Sequence, residues 1–138
     1  MRLKQFLNEM AQRDLQSLEH IVDDMFRQIG LDVYFTNHFR QRILDNGREA
    51  RDTDVTPDEI YNAFKKMKMQ YGSRLYDART DPKEFIGILK DISTNLNIPF
   101  TIDYDKVHKG LHKLTAMTLM RKKHFVPNAN GGRILTVQ

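Results

Sequence analysis

The apolar residues of this 138-residue chain change their spacing at Ile98. Before that point they recur mostly every three or four positions, the repeat of one helical face; beyond it they alternate, the repeat of a half-buried strand. A chain that reads as helix first and strand last is expected to fold as an α+β protein. Leu3, Phe6, Leu7 and Met10, then Leu15, Leu18, Ile21, Val22, Met25, Phe26 and Ile29, mark a long N-terminal amphipathic helix closed by Gly30. The register slips between Gln12 and Asp14, so residues 1–12 read as a separate N-terminal segment. Val33 to Thr36 is β-branched and aromatic, a strand leading into a helix over about 37–46 that Thr36 or Asn37 caps. Residues 47–54 are polar and read as an exposed loop.

Thr56-Pro57-Asp58-Glu59 combines a capping hydroxyl, a proline at the first helical position and a glutamate at the third. It opens a helix carrying Ile60, Phe64, Met67 and Tyr71 on one face, with Gly72 as its stop. Asp81-Pro82-Lys83-Glu84 resembles the same signal and predicts a further helix over 82–93, burying Phe85, Ile88, Leu89 and Ile92. Phe100, Ile102 and Tyr104 then alternate with Thr101, Asp103 and Asp105 along a strand. Lys109-Gly110 supplies a turn, Leu111 to Met120 a central strand that Arg121 to His124 extend, and residues 126–138 a loose tail. The expectation is a single domain over 1–138, with helices packed on a small antiparallel sheet.

Charge is distributed unevenly along the chain. All 18 carboxylates fall within residues 1–105, whereas Lys106, Lys109, Lys113, Arg121, Lys122, Lys123 and Arg133 follow without one. The overall charge of +4 therefore divides into about −3 and about +7. A positive field concentrated in one third of a chain favours polyanionic partners, nucleic acid first and an acidic protein surface second. Cysteine is absent, which removes disulfides, thiolate nucleophiles and Cys-based metal sites. No run approaches the roughly 18 apolar residues of a membrane span, so a soluble protein without a membrane partner is expected. No Gly-rich phosphate loop, GxSxG elbow, paired-carboxylate motif or dinucleotide fingerprint occurs, and ATP-dependent or hydride-transfer chemistry is not expected.

Histidine and arginine supply the candidate chemistry. His108 and His112 are four apart, but in a hairpin and without the glutamate of a zinc-helix motif, so no metal is expected. His38 lies in the first turn of a helix that follows a strand, with Arg42 one turn later on the same face. An imidazole and a guanidinium so placed suit a phosphodiester: arginine holds phosphate oxygens, and neutral histidine takes a proton from a ribose hydroxyl. A histidine that merely caps or packs on the preceding strand is the plainer alternative. Arg48 and Arg51 follow in the loop, and Lys113, Lys122, Lys123 and His124 are candidate backbone contacts, with Tyr104 or Phe125 as a surface for an unpaired base. The same basic residues at a strand end also serve to prevent edge aggregation. Lys65, Lys66 and Lys68 read as the solvated face of their helix.

The opening Met1-Arg2-Leu3-Lys4-Gln5-Phe6-Leu7-Asn8-Glu9 resembles the short N-terminal segment of internal proteins that T-even-type tailed phages pack into their heads. Phe35 to Arg42, Val55 to Ile60 and Lys113 to Phe125 are similar to small proteins of marine T-even-type phages. The order of elements also resembles the RelE and BrnT superfamily of ribonuclease toxins: a strand into a helix with histidine and arginine one turn apart, a Thr- or Ser-capped helix, then a Thr-rich strand. That resemblance implicates His38, Arg42, the strand around Thr115 and Thr118, and Arg121 beyond its end; the long N-terminal helix and the helix over 82–93 depart from it. Residue placement, the charge asymmetry and these resemblances together give the preferred expectation, a phage nucleic-acid-binding protein with metal-independent ribonuclease activity, RNA preferred to DNA, needing no cofactor and acting in the host cytoplasm. In that activity His38 is the acid or base, and Arg42 and Arg121 are the phosphate ligands. Two other readings stay open: an internal or assembly protein of the virion interior that contacts capsid or scaffold through residues 1–29, and a host-directed inhibitor of a protein partner.

Overall fold

A computed structural model describes residues 3–45, 55–79, 85–104, 112–121 and 133–138, with the backbone alone for 3–13 and 44–45. In chain order the elements are α1 (Leu3–Arg27), β1 (Leu31–Phe35), α2 (Asn37–Asp45), α3 (Pro57–Ala78), β2 (Phe85–Asp91), β3 (Leu96–Tyr104), β4 (His112–Ala116), β5 (Met120–Arg121) and β6 (Arg133–Val137). Three helices pack with one six-stranded sheet in a single domain. The fold class is α+β as expected, but the sheet is mixed. Its order is β1-β4-β3-β2-β6, with β1 parallel to β4, β2 parallel to β6, and β5 pairing β3.

Several expectations are corrected, and the one strand expected over Leu111 to Met120 is divided into β4 and β5 by residues 117–119. Residues 85–91 form a strand within the span expected to be helical, because the run Phe85-Ile86-Gly87-Ile88-Leu89 satisfies either period and its β-branched isoleucines favour the pleated surface. Gly87 then has a specific use: a Cβ there would stand 2.7 Å from the Phe100 ring and 2.9 Å from the Phe85 ring, which stack on each other across the two strands. Residues 133–137, expected in a loose tail, form β6, with Leu135 and Val137 fully buried. Finally, α3 runs past Gly72 to Ala78, because burying Leu75, worth about 1.5–3 kcal/mol, exceeds the roughly 1 kcal/mol a glycine costs a helix.

The capping box at Thr56 is formed as predicted, Thr56 Oγ1 accepting from Glu59 N and Glu59 Oε1 accepting from Thr56 N. Gly30 ends the α1 turn at φ +77°, a conformation that favours glycine. One face of the sheet meets α1 and α3 over Leu15, Leu18, Val22 and Phe26 from the first helix and Ile60, Phe64, Met67 and Leu75 from the second. Phe64 joins these layers, lying edge-on to Phe26 and stacked on Phe35, while Phe35 also packs on Phe39 of α2. The opposite face leaves Tyr34, Ile86 and Ile134 exposed.

β1 is an edge strand, and its outer N–H groups are closed by side chains of α1. Val33 N donates to Asp23 Oδ1 and Phe35 N to Glu19 Oε2, both at 2.7 Å. The match follows from two repeats: four helix residues advance about 6 Å and two strand residues about 6.7 Å. The carboxylates are balanced in turn, Glu19 by Arg40 at 2.7 Å and Asp23 by Arg27 at 3.3 Å, while Arg27 also reaches the buried Asp32 at 3.0 Å. Replacing Glu19 with Ala leaves the Phe35 N–H and the Arg40 guanidinium without their acceptor, and should cost about 1–3 kcal/mol in urea unfolding; Asp23→Asn, which keeps an accepting oxygen, should cost less.

Candidate nucleic-acid interface

Thr36 places α2. Its N–H donates to Ala116 O at 3.2 Å and its hydroxyl to Met117 O at 2.8 Å, while Oγ1 accepts from Phe39 N at 3.0 Å. The residue therefore fastens the N-terminus of α2 to the end of β4. His38 emerges exposed in the first turn, and Arg42, also exposed, donates from Nε to Leu119 O at 3.2 Å. The helix face carrying the predicted pair thus runs beside residues 117–119.

Arg121 lies two residues further on, but its guanidinium is engaged elsewhere. Nη2 donates to both carboxylate oxygens of Glu59, at 3.0 and 2.9 Å, and Nη1 to Thr94 O at 3.4 Å. The purely cationic trio expected from the sequence is therefore not what this end of the sheet presents: a carboxylate already balances its third member. Glu59 serves two purposes there, closing the α3 capping box and holding β5. Lys66, expected on a solvated face, is instead drawn to the fully buried Asp91 at 3.2 Å, whose other contacts are the hydroxyl and backbone N–H of Ser93.

The remaining predicted contacts are spread out. Lys113 sits on the open face of β4, its Nζ 4.6 Å from the Tyr34 ring centroid, and Arg40 approaches the same ring at 5.8 Å. Across the strands Lys113 is flanked by Asp32 and Asp103. Arg48, Arg51, Lys122, Lys123, His124 and Phe125 lie outside the described residues. Tyr104 is 53% exposed at the far end of β3, with the His112 ring edge-on at 5.5 Å. Burial, then the nearby Arg79 charge, lower the His112 pKa against an opposing pull from Asp103.

Among the described residues no three His, Asp or Glu side chains gather as a metal site, and no helix is long and apolar enough to cross a membrane. Tyr34 and Arg79 were not singled out from the sequence: Tyr34 reads as one residue of an apolar run, and Arg79 follows the glycine that was expected to end its helix. Register offered a signal for Tyr34, since its alternation with Val33 and Phe35 puts it on the face away from the core. No protein-family model, curated protein or solved structure matches the chain.

The Arg121–Glu59 pair carries a direct test of its bracing role. Arg121→Ala and Glu59→Gln should each destabilise the protein, and the double variant should fall short of their sum by about 1 kcal/mol in a double-mutant cycle of urea unfolding.

Proposed function

We propose that the protein binds nucleic acid, single-stranded RNA in preference to DNA, on the sheet face opposite the helices. The observation that carries this reading is Tyr34, an aromatic ring 40% exposed on that face with the Lys113 ammonium and the Arg40 guanidinium beside it. The Lys113 ammonium next to an exposed ring suits the two halves of a nucleotide, the backbone phosphate and the base, whereas Arg40, bound to Glu19, only borders the ring. The positive final third of the sequence supports the same partner by raising the local concentration of polyanions. Arg48, Arg51, Lys122, Lys123 and His124 extend the contact surface in this proposal.

Cleavage is the finer part of the proposal. His38 and Arg42, one turn apart and exposed on α2, are the pair that would accept a ribose 2′-hydroxyl proton and hold the phosphate, with no metal in the scheme. This is the chemistry implied by the resemblance to RelE and BrnT-type toxins. Arg121 takes the part of a brace rather than of a ligand, because displacing Glu59 would expose the α3 cap.

A second reading, a phage assembly protein or host-directed inhibitor acting through a protein partner, is favoured by a groove between α1 and α3. It encloses about 550 Å³ and is lined by Leu18, Ile21, Pro57 and Tyr61, with Asp14, Ser17 and Asp58 at its polar margin. In that reading α1 is the docking helix, within the residue 1–29 contact with capsid or scaffold, and the protein resides in the virion interior rather than the host cytoplasm.

Fluorescence anisotropy with a labelled oligoribonucleotide separates the readings. Tyr34→Ala should cost about 1–3 kcal/mol of binding through lost stacking, and Lys113→Ala should lower the salt slope by about one. His38→Ala and Arg42→Ala should each abolish RNA turnover while leaving binding within a few fold. RNA affinity unchanged by Tyr34→Ala and Lys113→Ala would exclude this surface.

A further inference from the structure

Gly30 brings together two groups that belong to neither the α2 pair nor the Tyr34 surface. Its carbonyl accepts from His112 N at 3.2 Å, and its Cα lies under the Arg79 guanidinium so closely that a Cβ would stand 2.2 Å from Nη1. The positive φ at this residue turns the chain there, and the missing side chain is what lets arginine lie against the backbone beside β4.

Arg79 is held as a fork rather than left as a loose surface charge. Its guanidinium carbon is 3.8 Å from the Tyr76 ring centroid, and Nε donates to Tyr76 O at 3.1 Å. Among the described residues neither Nη1 nor Nη2 has an acceptor, so two parallel donors remain. The Arg79 charge acts on the His112 ring, whose Nδ1 has no hydrogen-bond partner among the described residues. A guanidinium fork with open donors, its charge acting on a histidine ring, is an arrangement that an anion joins. Tyr104, across from His112 on β3 and half exposed, adds an aromatic face at the mouth of the same cluster.

We propose that this end of the sheet binds a nucleotide phosphate, with the Arg79 fork and His112 on the phosphate oxygens and Tyr104 against the base. The site goes beyond the Tyr34 surface and shares no residue with it, so either can fail without the other. Its ligand needs a compact anionic group to satisfy the fork and a planar group to cover the tyrosine, two features that a nucleoside monophosphate supplies within one molecule. Arginine suits the first requirement better than lysine, since its planar donors meet two oxygens together. Because Arg79 is already packed on Tyr76, little freedom is lost when it binds.

The test uses the full chain, with inorganic phosphate and a nucleoside 5′-monophosphate titrated separately and followed by the His112 ring resonances and by calorimetry. Both ligands should shift those resonances, with the nucleotide binding more tightly. Arg79→Lys should weaken both by about tenfold, equivalent to the loss of one charge-assisted hydrogen bond. Tyr104→Ala should weaken the nucleotide several fold and leave inorganic phosphate unchanged, whereas Tyr104→Phe should bind as the parent does. Unchanged thermal unfolding of Arg79→Lys and Tyr104→Phe keeps the comparison within folded protein. A 5′-phosphorylated oligoribonucleotide that competes better than the mononucleotide would locate the natural ligand at a strand end; equal competition would locate it in free nucleotide. Absence of any His112 shift at millimolar nucleotide, or equal affinity in parent and Arg79→Lys, would overturn the proposal.

Discussion

Two carboxylates one helical turn apart, Glu19 and Asp23, hold the edge of the sheet closed, and the placement of the predicted chemistry depends on them. An edge strand presents a row of unpaired N–H groups, and pairing with another chain is the usual hazard. Here the helix that covers the hydrophobic face also supplies the missing acceptors, so α1 and β1 are joined by side-chain bonds as well as by packing. Charge burial is kept tolerable because Arg40 and Arg27 sit on the same carboxylates. Through Arg40 the clamp extends to α2, and through Thr36 α2 is fixed to the end of β4; His38 and Arg42 inherit their positions from that chain of contacts.

The sheet has two chemically different ends. Near the start of α3 and the β2–β3 turn, cations are already matched: Arg121 with Glu59, and Lys66 with Asp91. At the other end Arg79 packs over Gly30, whose carbonyl holds the His112 backbone, and the Arg79 Nη donors have no acceptor among the described residues. For Lys113 and Arg121, the division of charge along the sequence is moderated by neighbouring carboxylates in space. Lys113 and Arg121 belong to the basic final third, yet β pairing sets Lys113 between Asp32 and Asp103, and Arg121 reaches a carboxylate from α3. Of these two, Lys113 keeps its ammonium beside the exposed Tyr34 ring, whereas the Arg121 guanidinium is taken up by Glu59.

Much of this architecture was legible because local signals and tertiary demands agreed. The Thr56 capping box, the apolar stripe from Leu15 to Phe26 and the alternation through Phe100 and Ile102 all lead to the elements observed. The residues around Phe85 misled because a short apolar run fits both periods, and only pairing with β3 and β6 selects the strand. Asp81-Pro82 looked like a helix start but precedes a strand, and Gly72 looked like a stop but is carried through by the burial of Leu75. The last strand was hidden by the Asn- and Gly-rich residues before it, although Ile134, Leu135 and Val137 carry the β-forming composition. For the site, the one-turn spacing of His38 and Arg42 could be read directly. The Glu59 partner of Arg121 and the meeting of Arg79 with His112 required contacts between distant parts of the chain, 62 residues apart for the first pair.

Amide hydrogen exchange at Val33 and Phe35 measures the edge clamp most directly, because those two N–H groups have only side-chain acceptors to protect them. Slow exchange is expected at both, comparable with inner-strand amides such as Ile98, while the rest of the sheet stays protected. Exchange at the rate of solvent-exposed amides under the same conditions, with the inner strands still slow, would contradict it.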